Sequence, residues 1–408
     1  MSASRNEQSG SMRGHIPELD GIRGLAIGGV MALHFLTNMA ALQSPLERAV
    51  SKLASYGLWG VDLFFVLSGF LITGILYDAK GGARYFRSFY MRRTLRIFPL
   101  YYGVLALTMI VIPRDFLARY APGFLEVREI QGWLWPYLTN FYLAGEGEFS
   151  LPYISHFWTL AIEEHFYLFW PFVVAFLSRT AAMRACVALS LIALSLRLWF
   201  SHFGPNELYV QILTPCRLDS LCAGAWFALA VRGPEGVKPL GLGAPRWLIV
   251  LASSVVLISL WHAADPRWDA TLLPLRTTLL SLFFAVFILF SAWNEGPAPL
   301  KGLLRARWLV MLGKYSYGLY VYHGIVAYIM HERRTLAWLY ELVGPGVLAL
   351  FANALLGVLI SVVISVASYE FFEVRFLHLK KWFEVAERRR GVVARALPAP
   401  TSTERDRS

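Results

Sequence analysis

The sequence predicts an all-α, polytopic membrane helical bundle of about ten transmembrane helices, with both termini cytoplasmic. Three observations predict it. Of 408 residues, 57% are hydrophobic and only 16% charged, more apolar than an ordinary soluble domain. Apolar runs of about 20 residues, enough to cross a hydrocarbon core of roughly 30 Å, recur along the whole chain. Several of these runs also enclose ionisable residues, which at such depth must face protein rather than lipid.

Taken in order, residues 1–15 are polar and Ser-rich and read as a disordered cytoplasmic N-terminus. The first apolar stretch, Ile16 to Leu42, is too long for a signal peptide and lacks a small-residue cleavage site. Spans are expected at 21–42, 56–78, 97–113, 156–178, 185–203, 213–231, 247–264, 271–293, 309–331 and 345–368. Residues 132–144, apolar but short and broken by Pro136, are expected as a half-inserted or interfacial helix in an outward loop. Charge supports that choice, because it leaves most loop Lys and Arg on one side of the membrane. A membrane domain therefore covers 16–379, followed by a basic, mostly disordered cytoplasmic tail over 380–408 that contains ERRRG at Glu387 to Gly391. The net charge of +11 reflects this topology, and no nucleic-acid recognition motif accompanies it. Three cysteines, Cys186, Cys216 and Cys222, form neither a disulfide framework nor a metal-ligand spacing, so no metal is expected.

The buried polar residues point to a site. Arg23 and His34 stand eleven positions apart, which returns to nearly the same helix face about 16 Å further along the axis. Asp62, Glu163, Glu164, Arg197, Arg217, Asp219 and His323 fall near the depth of His34, and Arg276 lies near the outer face. So many ionisable groups at one level imply a shared interior cavity. A carboxylate beside His34 would orient its imidazole and raise its basicity. Glu163 is favoured over Glu164 because it shares a face with His156, seven residues earlier; Asp62 is the other candidate. Trp158 and Tyr167 could wall the same cleft. At the inner end, the loop 79–96 leads into a helix start where Arg92, Arg93 and Arg96 form a cationic cluster. Guanidinium forks match phosphate oxygens, and Lys314 could add to them. Arg84 and Arg87 read more simply as lipid-facing and topological charge.

Six segments in order carry a family resemblance: PELDGIRGLAI followed by His34, WGVDLFFVLSGFLIT, RRTLRIFPLYY, HFWTLAIEEHFYLFWP, CRLDSLCAGA and GKYSYGLYVYHG. With them the chain resembles the acyltransferase-3 family of integral membrane O-acyltransferases from about Ile16 to Leu379. Two positions depart from that pattern: Thr159 stands where serine is common, and Glu373-Val374-Arg375 replaces Glu-x-Pro. The resemblance implies a multi-pass protein of the bacterial plasma (inner) membrane. It also implies acetyl-CoA or another short acyl-CoA as donor, and a hydroxyl acceptor, often a sugar of a surface glycan. On that reading Arg23, Arg92, Arg93, Arg96 and Lys314 hold the donor. His34 is the general base, with Glu163, Asp62 or Glu164 beside it. His156, Trp158, Tyr167, Arg197, Arg217, Asp219 and His323 face the acceptor. No hydrolase-like domain is expected after the last span. Transfer is expected to be direct, since no Cys or Ser has a convincing base partner. The rival readings are an acyltransferase for a small secondary metabolite such as a macrolide, and a transporter or flippase using the buried charges as a path.

Overall fold

The computed structural model describes residues 16–37, 44–293 and 296–383, and every regular element among them is helical. The stretch 1–15 and the tail from 384, including ERRRG, lie outside the described residues. In order, the α-helices are α1 (Pro17–Leu36), α2 (Pro45–Ser55), α3 (Trp59–Asp78), α4 (Tyr85–Ala106), α5 (Arg114–Tyr120), α6 (Gly123–Glu129) and α7 (Thr139–Glu146). Then come α8 (Trp158–Phe176), α9 (Arg179–Phe203), α10 (Leu208–Ile212), α11 (Thr214–Ala230), α12 (Lys238–Ala264) and α13 (Asp269–Ala292). The last are α14 (Ala298–Leu304), α15 (Arg307–Lys314), α16 (Ser316–Glu332), α17 (Thr335–Val343), α18 (Val347–Ser368) and α19 (Val374–His378).

Local chemistry explains the starts. Pro17 opens α1 at a position whose N–H would be unpaired anyway. Glu18 and Asp20 occupy its first turn, complementing the helix dipole. Ser44 and Glu47 close a reciprocal capping box on α2.

Among the described residues, seven helical stretches are long and apolar enough to cross a membrane: Pro17–Leu36, Pro45–Asp78, Tyr85–Val111, Arg179–Phe203, Pro239–Ala263, Asp269–Ala292 and Val347–Phe383. The protein is an integral membrane protein. Helices α8, α11 and α16 are shorter, at 19, 17 and 17 residues, and carry Glu163, Glu164, Arg217, Asp219 and His323. Their polar residues turn into the bundle, whereas α8 exposes Leu168 and Phe176, and α12 and α18 expose Ile249, Leu257, Leu348 and Val363, as a lipid-facing surface requires.

Two boundaries differ from expectation. Helix α4 begins at Tyr85 rather than near 97, so Arg92, Arg93 and Arg96 lie within a helix and not in a loop before it. Apolarity marks where the chain meets hydrocarbon, but the helix continues past that point into polar surroundings. The expected span 309–331 breaks at Tyr315 into α15 and α16. The 132–144 stretch, expected as a half-inserted or interfacial helix, holds a 3₁₀ turn at Gln131–Trp133, a left-handed Tyr137 and the start of α7.

Helices α3 and α11 cross at backbone contact. A Cβ on Gly69 would meet the Leu221 backbone, and one on Gly224 would meet the Val66 backbone. Reciprocal small residues of this kind let membrane helices approach closely, where packing rather than water drives association.

Candidate active site

Two cavities reach toward the centre of the bundle and end on opposite sides of one aromatic layer. The first, about 200 Å³, lies between α1, α3, α4, α8 and α16. Arg23, Arg93, Arg96 and Tyr317 line one end of it, and Val61, Phe65, Thr159 and Tyr320 line the other. Arg23 bonds Asp20 at 2.5 Å. The Arg93 guanidinium lies 4.3 Å over the Tyr167 ring, and the Tyr167 hydroxyl bonds Ser68. Glu163 faces Ser68, Tyr167 and Arg93. Arg93 Nε and Glu164 Oε1 are buried with no hydrogen-bond partner. A donor and an acceptor left unpaired beside a cavity call for a polar ligand.

The second cavity, about 450 Å³, is lined by His34, His156, Tyr153, Gly324, His331 and Asn353, among others. Tyr153 stacks on Phe124 at 4.2 Å and donates to Glu332 at 2.7 Å. Burial, and then the Glu332 carboxylate, raise the pKa of this loop hydroxyl above its ordinary value, which keeps it a donor.

Between the cavities stand three histidines and a tyrosine. The His323 ring lies 4.8 Å from His34 and 4.9 Å from His156, with His34 and His156 6.4 Å apart. Tyr320 packs against both His156 and His323, at 5.5 and 5.4 Å. Its hydroxyl donates to the His156 carbonyl at 2.8 Å and meets Thr159 Oγ1 at 2.5 Å. Tyr320 and Thr159 border the arginine-lined cavity, while His34 and His156 border the other. His34 Nδ1 sits 2.9 Å from the Val30 carbonyl. A carbonyl only accepts, so in the neutral ring Nδ1 carries the hydrogen and Nε2 keeps a lone pair. His323 is held the same way by the Leu319 and Tyr320 carbonyls, at 3.0 and 2.8 Å, and its Nε2 has no partner.

The ionisable residues expected in one shared cavity divide instead into separate groups. Among the described residues no carboxylate bonds His34: the Val30 carbonyl orients its ring. Glu163, Glu164 and Tyr167 line the arginine cavity. Asp62 is closed in a buried ion pair with Arg217. Arg197 and Asp219 pair at 2.6 Å with side chains 1% exposed, and Thr278 donates to Asp219 at 3.0 Å. Those four charges border neither cavity, because each finds its counter-charge inside the bundle. Trp158 is also buried away from both cavities, its ring edge 6.2 Å from Phe65. Arg92 bonds the Ser88 carbonyl of its own helix at 3.2 Å. Lys314 pairs with Glu370 at 3.2 Å, outside the cavity. Among the described residues, no group of three or more His, Cys, Asp and Glu has the arrangement of a metal site.

Over residues 16–370 the chain matches the family described as acyltransferase domain. It belongs to that family. One relative, O-acetyltransferase OatA of Staphylococcus aureus (strain NCTC 8325 / PS 47), is 26% identical over 329 residues, covering 76% of this chain and 50% of that protein. Another, from Staphylococcus aureus (strain COL), bears a provisional O-acetyltransferase name and is 27% identical over 342 residues, covering 78% of this chain and 52% of that protein. The chain thus spans about half the length of the curated relatives it matches. No solved structure matches it.

In this acyltransferase-domain chain, reasoning from the sequence passed over Ser68, Tyr317 and Tyr320, and treated Thr159 only as a motif variant. Helical spacing carried a signal for each. Tyr317, Tyr320 and His323 recur every three residues on α16, and Thr159, Glu163 and Tyr167 every four on α8, so each trio shares one face. Lys380, read as the start of a basic, mostly disordered cytoplasmic tail, sits within electrostatic reach of Arg92, Arg93 and Arg96.

Gly324 supplies the room for His156. A Cβ there would overlap the imidazole. Gly324→Ala is expected to tilt His156 and lower kcat by about 10²-fold, the scale of a 1 Å misplacement. The arginine-lined cavity should not change, because the glycine borders the other one. An unaltered kcat would show that the ring position is unimportant.

Proposed function

We propose that the protein is a membrane O-acyltransferase. It moves an acetyl or other short acyl group from acyl-coenzyme A to a hydroxyl of a cell-surface glycan. The observation that carries this reading is the pair of cavities meeting at one histidine layer, with arginines on one side only. The fit of the donor rests on side chains already in place. Arg96, Arg92 and Lys380 would take the nucleotide phosphates, and Arg93 Nε and Glu164 Oε1 would meet the amides of the narrow pantetheine arm. The acceptor hydroxyl would enter the opposite cavity. His34 Nε2 removes its proton as the oxygen adds to the thioester carbon. The carbon–sulfur bond then breaks, and His34 returns the proton to the departing thiolate. Thr159 and Tyr320, at the closed end of the donor cavity, hold hydroxyls where charge would develop on the carbonyl oxygen.

The topology that suits this chemistry has ten spans, with α8, α11 and α16 crossing beside the seven apolar stretches. Both termini and the arginine cavity then face the cytoplasm of a bacterial inner membrane, in keeping with the basic loops. Acetyl as the group transferred agrees with the O-acetyltransferase relatives.

Purified protein in nanodiscs, given radiolabelled acetyl-coenzyme A and a lipid-linked oligosaccharide, should transfer label to sugar hydroxyls. Arg93→Ala and Arg96→Ala should each raise the donor KM about tenfold or more, a lost charge-assisted contact being worth about 1.5–3 kcal/mol. Equal KM values for wild type and both variants would remove the donor site from this cavity.

A further inference from the structure

The donor cavity ends at an aromatic wall that the catalytic proposal does not use. Its lining on α3 includes Ile75, Ile72, Ser68, Phe65 and Val61, spaced three and four apart and therefore on one helix face. Arginines mark the Ile75 end. Phe65 and Val61 stand at the other, level with Thr159 and Tyr320 on the neighbouring helices.

Phe65 is 1% exposed and is held from behind by groups that border neither cavity. The Arg217 guanidinium lies 5.5 Å over its ring. Arg217 is itself fixed by its ion pair with Asp62, three residues before Phe65 on α3. The Trp158 edge closes the remaining side at 6.2 Å. A ring backed by a buried ion pair and an indole cannot swing away without uncovering a charge in the membrane interior. This gives Trp158, Arg217 and Asp62 a common task, although none of them borders a cavity.

We infer that Phe65 sets the length of the acyl group the protein accepts, and that Asp62, Arg217 and Trp158 are positioning residues for it. The inference rests on the arginine-lined cavity being the donor site. With the thioester carbon beside Thr159 and Tyr320, an acetyl group fits before the Phe65 ring and a chain several carbons longer meets it. Packed interiors yield little to an added methylene, so discrimination should be steep.

The test compares acetyl-, butyryl- and hexanoyl-coenzyme A, measuring both thioester consumption and binding to the full chain in nanodiscs. Wild type should favour acetyl over hexanoyl by at least about tenfold, one or two misfitting methylenes in a tight pocket being worth that much. Phe65→Ala should narrow or reverse that ratio while acetyl-coenzyme A still binds. Phe65→Leu, which keeps an apolar side chain against Arg217, should shift the ratio part of the way and covers the case in which the alanine variant does not fold. Asp62→Asn should broaden the chain-length profile with Phe65 intact, an effect that mere loss of stability would not produce. Variants that consume acetyl-coenzyme A with the wild-type length profile overturn the inference. So does a wild type that binds and cleaves all three thioesters equally. A wild type that neither binds nor cleaves any of them removes the donor reading itself, and the length ruler with it.

Discussion

His34→Ala should lower acyl transfer by about 10²- to 10⁴-fold, the usual contribution of a positioned general base, while acetyl-coenzyme A binds as before. The ring borders the cavity opposite the arginines, so its removal takes nothing from the donor site. It takes away the lone pair that the Val30 carbonyl fixes on Nε2. His34→Gln sharpens the experiment, because it keeps a polar side chain of similar reach without a titrating nitrogen. Both variants should therefore show depressed kcat with an unchanged donor Kd. His323 lies 4.8 Å away and also has an unpartnered nitrogen. Substantial transfer by His34→Ala that disappears in the His34→Ala/His323→Ala double variant would move the base to His323. Full activity in both single variants would end the general-base proposal.

Asp219→Ala should destabilise the protein by about 3–5 kcal/mol, because it strands a buried guanidinium. The Arg197 side chain is 1% exposed and donates to Asp219 through two nitrogens, at 2.8 and 2.6 Å. Thr278 and the Pro274 carbonyl also accept from it, but neither supplies a negative charge. The lost pair joins α9 to α11, with Thr278 of α13 against both, so three helices loosen together. Thermal unfolding in detergent, followed by tryptophan fluorescence, should show a large drop in midpoint. The same change at Glu129, whose pair with Arg114 is exposed on both sides, should leave the midpoint in place. Equal midpoints for wild type and Asp219→Ala would mean that Arg197 finds another counter-charge.

Much of the architecture was legible because hydrophobicity and helical period are local properties. The Arg23–His34 spacing foretold two polar groups on one stripe of α1, and the structure places them at different cavities along that stripe. The rotation of one helix against another is not local. Asp62 and Glu163 lie at similar heights, yet Asp62 faces Arg217 on α11 and Glu163 faces Arg93 on α4. Nothing within α3 or α8 specifies those partners. The α3–α11 partnership depends on Gly69 meeting the Leu221 backbone and Gly224 that of Val66, matches between residues more than 150 positions apart. His156 and His323, assigned separately to an acceptor surface, gather around His34 for a similar reason. Gly324, one residue past His323, admits the His156 ring, and only the packed helices reveal it.

The layer of His34, His156, His323 and Tyr320 has a consequence for the cell as well as for chemistry. On the proposed topology it is the thinnest insulation between cytoplasm and exterior, and it contains nitrogens and hydroxyls that water could thread. On the proposed function the acyl group would change compartment there while both of its carriers stay where they are. The bond exchange would itself be the crossing, and no passage wide enough for a whole molecule would need to open. Close ring packing around Gly324 would then serve two purposes: aligning the reacting groups, and keeping the membrane tight to protons between turnovers.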